Sequence, residues 1–269
     1  MDGFQQASNH QAAFVFEKPL AVRSSECREL IDLARERDLV FTVAENTRFV
    51  DAYLATQRVL EQGSLGAIRT IRTLIYGSEV ARVRAGAGWV GLKEAAGGGV
   101  ILDAGVHSFY LLEWLFAPVV EVRASMATLI EGNEVEDNAV VTGRLENGAL
   151  FTCELTCTAE IPWGERLEVC GEHRTLIVDQ LTNPVAKVFA GGEDFAGAQL
   201  DGVPFDPRGW KDTSIAAGVV DFVRAVRDRR PTGVDPEAGY HAVVVAERAY
   251  ESVGTGGTTV GVSASVTAP

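Results

Sequence analysis

Seven β-rich segments after residue 67 constrain the fold of this chain more than any other feature of the sequence. They are rich in β-branched and aromatic residues, and several alternate apolar with polar side chains, as Glu121–Met126 does. Such alternation predicts strands with one face on a core and the other face open, which is typical of antiparallel sheets. The segments are Ile68–Tyr76, Val119–Ile130, Asn138–Leu145, Leu150–Thr158, Leu167–Cys170, Thr175–Val178 and Val185–Phe189. Helical spacing of apolar residues predicts three later helices at Gly105–Phe116, Ser214–Arg229 and Pro236–Ser252.

The chain before residue 67 has a different pattern. Ala13–Phe16 and Leu39–Val43 are predicted strands, and the helix between them has Ser24 and Ser25 as candidate N-caps. A strand–helix–strand unit of about 30 residues implies parallel strands and a right-handed crossover. A further helix is predicted at Asp51–Glu61. The predicted fold class is a small α/β unit followed by an α+β domain, in which a mainly antiparallel, open-faced sheet carries helices on one face.

The charge of the chain excludes some classes of function. Its 269 residues include 24 basic and 37 acidic side chains, and the formal net charge is −13. Such a surface repels phosphate backbones, which argues against nucleic-acid partners. No apolar stretch approaches the roughly 18 residues that span a bilayer, and the first residues lack the pattern of a signal peptide. We expect a cytoplasmic protein without membrane or nucleic-acid partners.

The cysteines do not indicate a metal site or a disulfide framework. Cys27, Cys153, Cys157 and Cys170 contain no Cys-x-x-Cys pair and have no nearby histidine at zinc spacing. We expect free, buried thiols and no bound metal.

Two short segments follow the predicted parallel strands. Glu17-Lys18-Pro19 lies at the carboxyl end of the first strand, and Arg48 lies in a segment just past the second. Ligands bind at this end of an open parallel sheet, and a residue before proline is held away from helical backbone angles. Lys18 is therefore a candidate site residue, although a turn with a surface lysine fits the same segment. Arg48 is suited to holding an anion or a carbonyl, or to a structural salt bridge.

A third segment begins with Gly97-Gly98-Gly99 and contains Asp103 and His107. Asp103 and His107 are four residues apart at the start of a predicted helix, where they would share one face. A carboxylate in that position can fix the tautomer of the imidazole and raise its basicity. The glycines permit close approach of a ligand or of a second backbone. The alternative is an N-capping aspartate beside a core histidine.

In order and spacing, these segments resemble the glucose-fructose oxidoreductase/inositol dehydrogenase/MocA family of NAD(P)-dependent dehydrogenases. That family has a Glu-Lys-Pro motif at the end of a Rossmann-domain strand, then an Arg-Phe pair, then Gly-Gly-Gly-x-x-x-Asp-x-Gly-x-His in a substrate domain. The matching residues here are Glu17-Lys18-Pro19, Arg48-Phe49 and Gly97 to His107, and Val245–Ser252 is similar to the last helix of the family. The resemblance covers roughly residues 14–262.

The resemblance implies a role for each matching residue. His107 would be the general base that removes the proton of a substrate hydroxyl, and Asp103 would orient it or bind a hydroxyl. Lys18 would stabilise negative charge on the substrate oxygen, while Glu17, Lys18 and Arg48 would line the nicotinamide end of an NAD or NADP site. Sugars, inositols and similar polyols are the implied substrates.

The sequence departs from the family pattern at its beginning. Only sixteen residues precede Glu17, and no Gly-x-Gly-x-x-Gly turn stands between a strand and a helix. We therefore expect residues 1–48 to be the remnant of a Rossmann domain, residues 49–262 to be the substrate-binding and oligomerisation domain, and residues 263–269 to be a disordered tail. Dinucleotide binding by this chain is expected to be weak or absent.

Three interpretations of this departure stay open. The chain is a fragment of an ordinary dehydrogenase, or a cofactor-independent lyase or isomerase that uses Lys18, Asp103 and His107, or an inactive partner of a full-length paralogue. In each case the open sheet face needs a cover, which predicts a homodimer or a homotetramer.

Overall fold

The predicted strand–helix–strand unit is the first feature of the computed structural model, which describes residues 13–86, 88, 91–192 and 194–263. Strands β1 (Ala13–Phe16) and β2 (Val40–Val43) pair in parallel, in register from Ala13 with Val40 to Phe16 with Val43. Helix α1 (Ser24–Glu36) connects them and buries its apolar stripe, including Leu30 and Ile31. Parallel pairing is the outcome that the long connection predicted.

The start of helix α1 differs from the prediction. Arg23 occupies the N-cap position, whereas Ser24 is the first helical residue. The backbone N–H and the hydroxyl of Ser24 donate hydrogen bonds of 2.8 and 2.6 Å to the carboxylate of Glu247. The proposed cap at Ser24 or Ser25 is therefore wrong, because a carboxylate from the distant C-terminal helix takes the place of a serine oxygen at this helix end.

The second feature is a mixed sheet of nine strands, in the order β10-β9-β8-β7-β3-β6-β5-β4-β11. The seven predicted segments form strands β3 to β9, and the short β10 and β11 lie at its two edges. The bounds are β3 Ile68–Tyr76, β4 Val119–Ala127, β5 Asn138–Leu145, β6 Leu150–Thr156, β7 Gly164–Gly171, β8 Thr175–Asp179, β9 Ala186–Phe189, β10 Ala198–Gln199 and β11 Val260–Gly261. All neighbours pair antiparallel except β3 and β6, which are parallel from Thr70 with Leu150 to Tyr76 with Thr156. Mainly antiparallel pairing follows the prediction.

Six further described helices complete the fold. Helix α5 begins directly after a π-helical turn, Ile101–Gly105, and a 3-10 turn at Asn46–Phe49 follows β2. The helix bounds are α2 Asp51–Glu61, α3 Val80–Arg84, α4 Lys93–Ala96, α5 Val106–Leu115, α6 Trp210–Asp228 and α7 Pro236–Gly254. The predicted start of α6 at Ser214 is four residues late, because the Asp206 side chain accepts a hydrogen bond from Gly209 N–H and turns the chain into an earlier helix start at Trp210.

Helices α5 and α7 pack together, and α7 also packs against β4. Their contact surface contains fully buried side chains such as Phe109, Leu112, Val243 and Val245. The stretch Lys93–Leu115 is long and apolar enough by composition to cross a membrane, but 72% of its apolar window is buried inside the molecule. It is therefore the core helix of the domain, and its apolar character reflects packing on all sides.

The other sheet face is exposed and mixed in character. Val140 and Leu150 are 42% and 54% exposed. Between such apolar residues lie cross-strand ion pairs, of which Arg144 with Glu121 is bidentate with two 3.0 Å hydrogen bonds. Of the predicted tail at 263–269, residues 264–269 lie outside the described residues, as do residues 1–12 of the predicted first domain.

Candidate active site

A cavity of about 350 Å³ lies at the carboxyl ends of β1 and β2, where a parallel sheet places its ligands. Its wall combines the βαβ unit with the helices of the sheet domain, since Glu17, Lys18 and Glu45 line it together with His107 and Lys211. This volume suits a small molecule or one ring of a larger one. The structure thus brings Lys18 and His107, which are 89 residues apart in sequence, to one cavity.

Lys18 is held by Asp103. The Lys18 Nζ donates to Asp103 Oδ1 at 2.5 Å and to the Asp103 carbonyl oxygen at 2.7 Å, and the Lys18–Pro19 peptide bond is cis. Burial raises the pKa of Asp103, but the charge and hydrogen bond of Lys18 outweigh it, so that the pKa lies below its ordinary value. Two of the three ammonium protons are used here, which leaves one for a ligand in the cavity.

His107 is held by Glu45. The His107 Nδ1 lies 2.6 Å from Glu45 Oε1 and 3.3 Å from Thr47 Oγ1, and the Glu45 residue is only 4% exposed. Burial raises the pKa of Glu45, but the charge and hydrogen bond of His107 together with those from Thr47 lower it below its ordinary value. Because an ionised carboxylate can only accept, Nδ1 carries the proton and Nε2 is the basic nitrogen.

The structure corrects the predicted pairing of Asp103 with His107. Ile101–Gly105 is a π-helical turn, in which hydrogen bonds close from residue i to i+5. Asp103 contacts Lys18 instead, and the orienting carboxylate of His107 comes from Glu45. Glu45 was part of the segment that the sequence singled out, but its separation of 62 residues from His107 hid the contact.

Arg48 has a different place from the one that the resemblance implied. Its guanidinium lies over the ring of Trp114, with 4.5 Å from the guanidinium carbon to the ring centroid. The residues that line the cavity include its neighbours Asn46 and Phe49 but not Arg48. In this structure its contact is therefore a cation–π interaction with helix α5.

The glycines before Asp103 allow a second backbone to approach. Gly99 donates its N–H to Glu136 Oε2 at 3.1 Å, and a Cβ built on Gly99 would lie 1.9 Å from the Glu136 carbonyl oxygen. A Cβ on Gly98 would lie 2.4 Å from the hydroxyl oxygen of Tyr250. The sequence left two reasons for these glycines, the close approach of a ligand or that of a second backbone. The contact of Gly99 with Glu136 supports the second reason. The motif fixes the start of the helix that carries His107.

A second buried carboxylate lies behind His107. Glu165 accepts a 2.9 Å hydrogen bond from the Tyr53 hydroxyl, and both line a water-sized space of about 10 Å³ together with His107 and Thr47. Burial raises the pKa of Glu165, since the opposing charge of His107 and the Tyr53 hydrogen bond are smaller effects. Sequence patterns gave no sign of Glu165, because a charged residue at the start of a strand is ordinarily exposed.

Comparison with known proteins shows what this arrangement belongs to. Residues 53–177 match the model of the GFO/IDH/MocA C-terminal domain. An uncharacterized oxidoreductase of Synechocystis sp. is 30% identical over 177 residues, which cover 61% of this chain and 47% of that protein. The trans-1,2-dihydrobenzene-1,2-diol dehydrogenase of Bos taurus is 31% identical over 146 residues, or 54% of this chain and 42% of that enzyme. Residues 53–177 are therefore similar to the C-terminal domain of the GFO/IDH/MocA family.

The fold of a solved family structure agrees along nearly the whole chain. The WlbA dehydrogenase from Bordetella pertussis, solved in complex with NADH and UDP-GlcNAcA, superposes with a TM-score of 0.82 at 19% identity, covering 97% of this chain and 82% of that one. This likeness concerns the fold. The chain spans about half the length of the curated relatives that it matches.

The GFO/IDH/MocA family implies a nicotinamide dinucleotide, and the described residues fit only one end of it. The cavity, with Glu17 and Lys18 in its wall, fits a nicotinamide ring. A diphosphate needs free backbone N–H groups at a helix N-terminus. In the βαβ unit that position is the start of α1, where the carboxylate of Glu247 already binds the N–H and hydroxyl of Ser24.

No metal centre accompanies the site in the part of the chain that the structure describes. No group of three or more His, Cys, Asp or Glu side chains there is arranged to hold a metal ion. All four cysteines are free, and burial raises the pKa of Cys27, Cys153 and Cys157 to about 12, so these thiols are inert at neutral pH.

Proposed function

We propose that this chain carries the acid–base machinery of a GFO/IDH/MocA-type oxidoreductase that acts on a hydroxyl of a sugar, inositol or similar polyol. The observation that supports this most is the pairing of His107 with Glu45 beside the pairing of Lys18 with Asp103, at one cavity. A basic imidazole nitrogen and an ammonium group are what alcohol oxidation requires at the reacting oxygen.

Each group has a defined task in this proposal. His107 takes the hydroxyl proton at Nε2, and the carboxylate of Glu45 stabilises the imidazolium that forms. The remaining N–H of Lys18 donates to the substrate oxygen while negative charge develops on it. Asp103 keeps the ammonium in place. A nicotinamide cofactor, held beside Glu17 and Lys18, would supply the hydride acceptor.

The cofactor is proposed to be NAD or NADP, and this chain alone is expected to bind it weakly. The N-terminus of helix α1 supports this expectation, because the carboxylate of Glu247 occupies the N–H and the hydroxyl of Ser24 and places a negative charge where a diphosphate would bind. Calorimetric titration with NADH and NADPH should show no saturation below millimolar concentration. Micromolar binding would contradict the expectation and would require diphosphate donors from outside the described residues.

Turnover of polyols with millimolar NAD⁺ or NADP⁺ tests the proposed activity. His107→Ala should abolish nicotinamide reduction by the folded chain, and it should lower the melting temperature because the buried carboxylate of Glu45 loses its partner. His173→Ala is the matched control, because the His173 side chain is 65% exposed and is not among the cavity-lining residues. Undiminished reduction in His107→Ala would refute the proposal. Product formation without nicotinamide reduction would instead favour a lyase or isomerase that uses the same residues.

We also propose that the open sheet face joins a second copy of this chain in a twofold-symmetric dimer. Two features of this face support the proposal: Val140 and Leu150 are exposed on it, and Arg144 forms an ion pair with Glu121 across its strands. A face that combines apolar and charged residues can contact the same face of a second copy across a twofold axis. Light scattering should report a dimer or tetramer, and Val140→Lys with Leu150→Lys should dissociate it. A clean monomer at micromolar concentration would refute the proposal.

A further inference from the structure

The charged side chains around the cavity are not all neutralised. Lys18 is paired with Asp103, and Glu45 with His107. Asp221 accepts hydrogen bonds from Arg230 at 2.6 Å and from Gly233 N–H at 2.5 Å. Within the described part of the chain, Lys211 is the cavity-lining cation that forms no ion pair. Its charge therefore stays available to a ligand.

Hydrogen bonds at the start of α6 fix the backbone position of Lys211. It is the second residue of α6, and the hydroxyl of Ser214 donates a 2.8 Å hydrogen bond to its carbonyl oxygen. The same hydroxyl accepts a 2.8 Å hydrogen bond from the Asn46 side chain, which lies next to Glu45 in sequence. Ser214 is only 1% exposed, so this link joins the start of α6 firmly to the base of the cavity.

The surroundings of the ammonium group combine charge with an aromatic surface. The Lys211 Nζ lies 5.8 Å from the centroid of the Trp163 ring, within cation–π range. The charge of Lys211 also acts on the buried carboxyl group of Glu165. Burial raises the pKa of Glu165, and the positive charges of His107 and Lys211 partly oppose that rise. Lys211 thus lines the cavity, and its ammonium group also lies over an aromatic ring.

We infer that Lys211 selects substrates that carry a carboxylate, so that sugar acids are preferred over neutral sugars. The inference rests on the proposed function for the reaction itself, but it concerns recognition. At long range a chain of net charge −13 repels such anions, so a local, unpaired cation is needed to bind them. A charge-assisted hydrogen bond at the rim also supplies orientation, since it fixes one end of the substrate relative to His107.

Binding of D-glucuronate and of D-glucose, measured separately by calorimetry, tests this. The two sugars share a ring and differ in a carboxylate. We expect glucuronate to bind about tenfold more tightly, a difference of roughly 1.4 kcal/mol. Lys211→Met should remove most of that preference by weakening glucuronate alone, and Lys211→Arg should restore it. Lys93→Met, which removes an equal charge from α4 outside the cavity wall, should change neither affinity.

The outcomes separate this inference from the proposed function. Equal affinity for both sugars, no glucuronate binding, or an equal loss for both sugars in Lys211→Met would overturn the inference. His107→Ala should keep the preference, because recognition of the carboxylate does not depend on the base. If the preference persists in a chain that oxidises neither sugar, the proposed oxidation fails and the assignment of Lys211 stands.

Discussion

Replacing Glu45 with glutamine tests whether this carboxylate, rather than Asp103, supports the base. Glu45 Oε1 accepts from Thr47 N–H at 3.1 Å and contacts His107 Nδ1 at 2.6 Å, in a site that is 4% exposed. Glutamine keeps the size and one carbonyl oxygen, so the geometry around Nδ1 should survive. The negative charge is lost, and a buried NH₂ group is introduced.

The expected changes in kcat and in the free energy of unfolding follow from the loss of this charge. Two unit charges about 4 Å apart interact by about 4 kcal/mol at an effective dielectric constant of 20. The amide dipole of glutamine retains part of that stabilisation, and about 2 kcal/mol lost from the imidazolium lowers kcat roughly 30-fold. The buried NH₂ group, if unpaired, lowers the free energy of unfolding by about 1–3 kcal/mol.

The stability effect has a defined pH dependence. The folded pKa of Glu45 lies below its ordinary value of 4.5, so the stabilisation by its ionised form is present above about pH 4.5 and is lost as the pH falls through the folded value. The difference in unfolding free energy between wild type and Glu45→Gln should therefore be larger at about pH 6 than below the folded pKa of Glu45, where only the pH-independent cost of the buried amide remains. Urea unfolding at several pH values measures this difference.

Asp103→Asn is the matched control for the kinetic effect. It removes the carboxylate partner of Lys18 and leaves the contact of His107 with Glu45 intact. Lys18 is then held less firmly, so we expect it to stabilise the negative charge that develops on the substrate oxygen less well. A full kcat in Glu45→Gln with a 30-fold loss confined to Asp103→Asn would refute the reasoning and restore Asp103 as the support of the base.

Three further outcomes are expected. Lys18→Met should lower kcat more than it raises KM, because its remaining N–H acts mainly on charge that develops in the reaction; steady-state kinetics would contradict this by showing a pure KM effect. Gly99→Ala should destabilise the chain by about 3 kcal/mol or more, because the new Cβ would meet the Glu136 carbonyl oxygen. Gly254→Ala is the control and should not destabilise the chain, because a Cβ there would have nothing within 4 Å. Denaturant unfolding measures both changes. Iodoacetamide should label Cys170 first in the folded chain and all four cysteines in urea, and mass spectrometry showing early modification of buried Cys27 or Cys153 would refute this.

The strands could be predicted where the alternation of side chains is regular. The bounds of β3 and β5 match the prediction at both ends, because each strand has one face buried and one exposed. The start of β7 was predicted three residues late, since Gly164 and Glu165 are both buried and break the pattern. Parallel pairing of β3 with β6 depends on contacts 80 residues apart, and no local pattern encodes it.

The site was predicted less completely than the fold. Lys18 and His107 stood in motifs whose chemistry is local, and both line the cavity. The partners of these residues could not be predicted, because 85 residues separate Lys18 from Asp103 and 62 separate Glu45 from His107. Lys211 had no motif at all, since its place at the cavity depends on a hydrogen bond between Ser214 and Asn46.

The two ionic contacts of the site also join the two parts of the fold. Lys18 and Glu45 belong to the βαβ unit, whereas Asp103 and His107 precede and begin the core helix α5 of the sheet domain. Each contact therefore stabilises the docking of the two parts and, at the same time, sets the protonation and direction of one reacting group. The pair of Lys18 with Asp103 is neutral, and the pair of Glu45 with His107 becomes neutral when the imidazole takes the substrate proton. A substitution at any of the four residues should then loosen the docking as well as the chemistry, so that loss of activity and increased amide exchange in β1 and β2 should occur together.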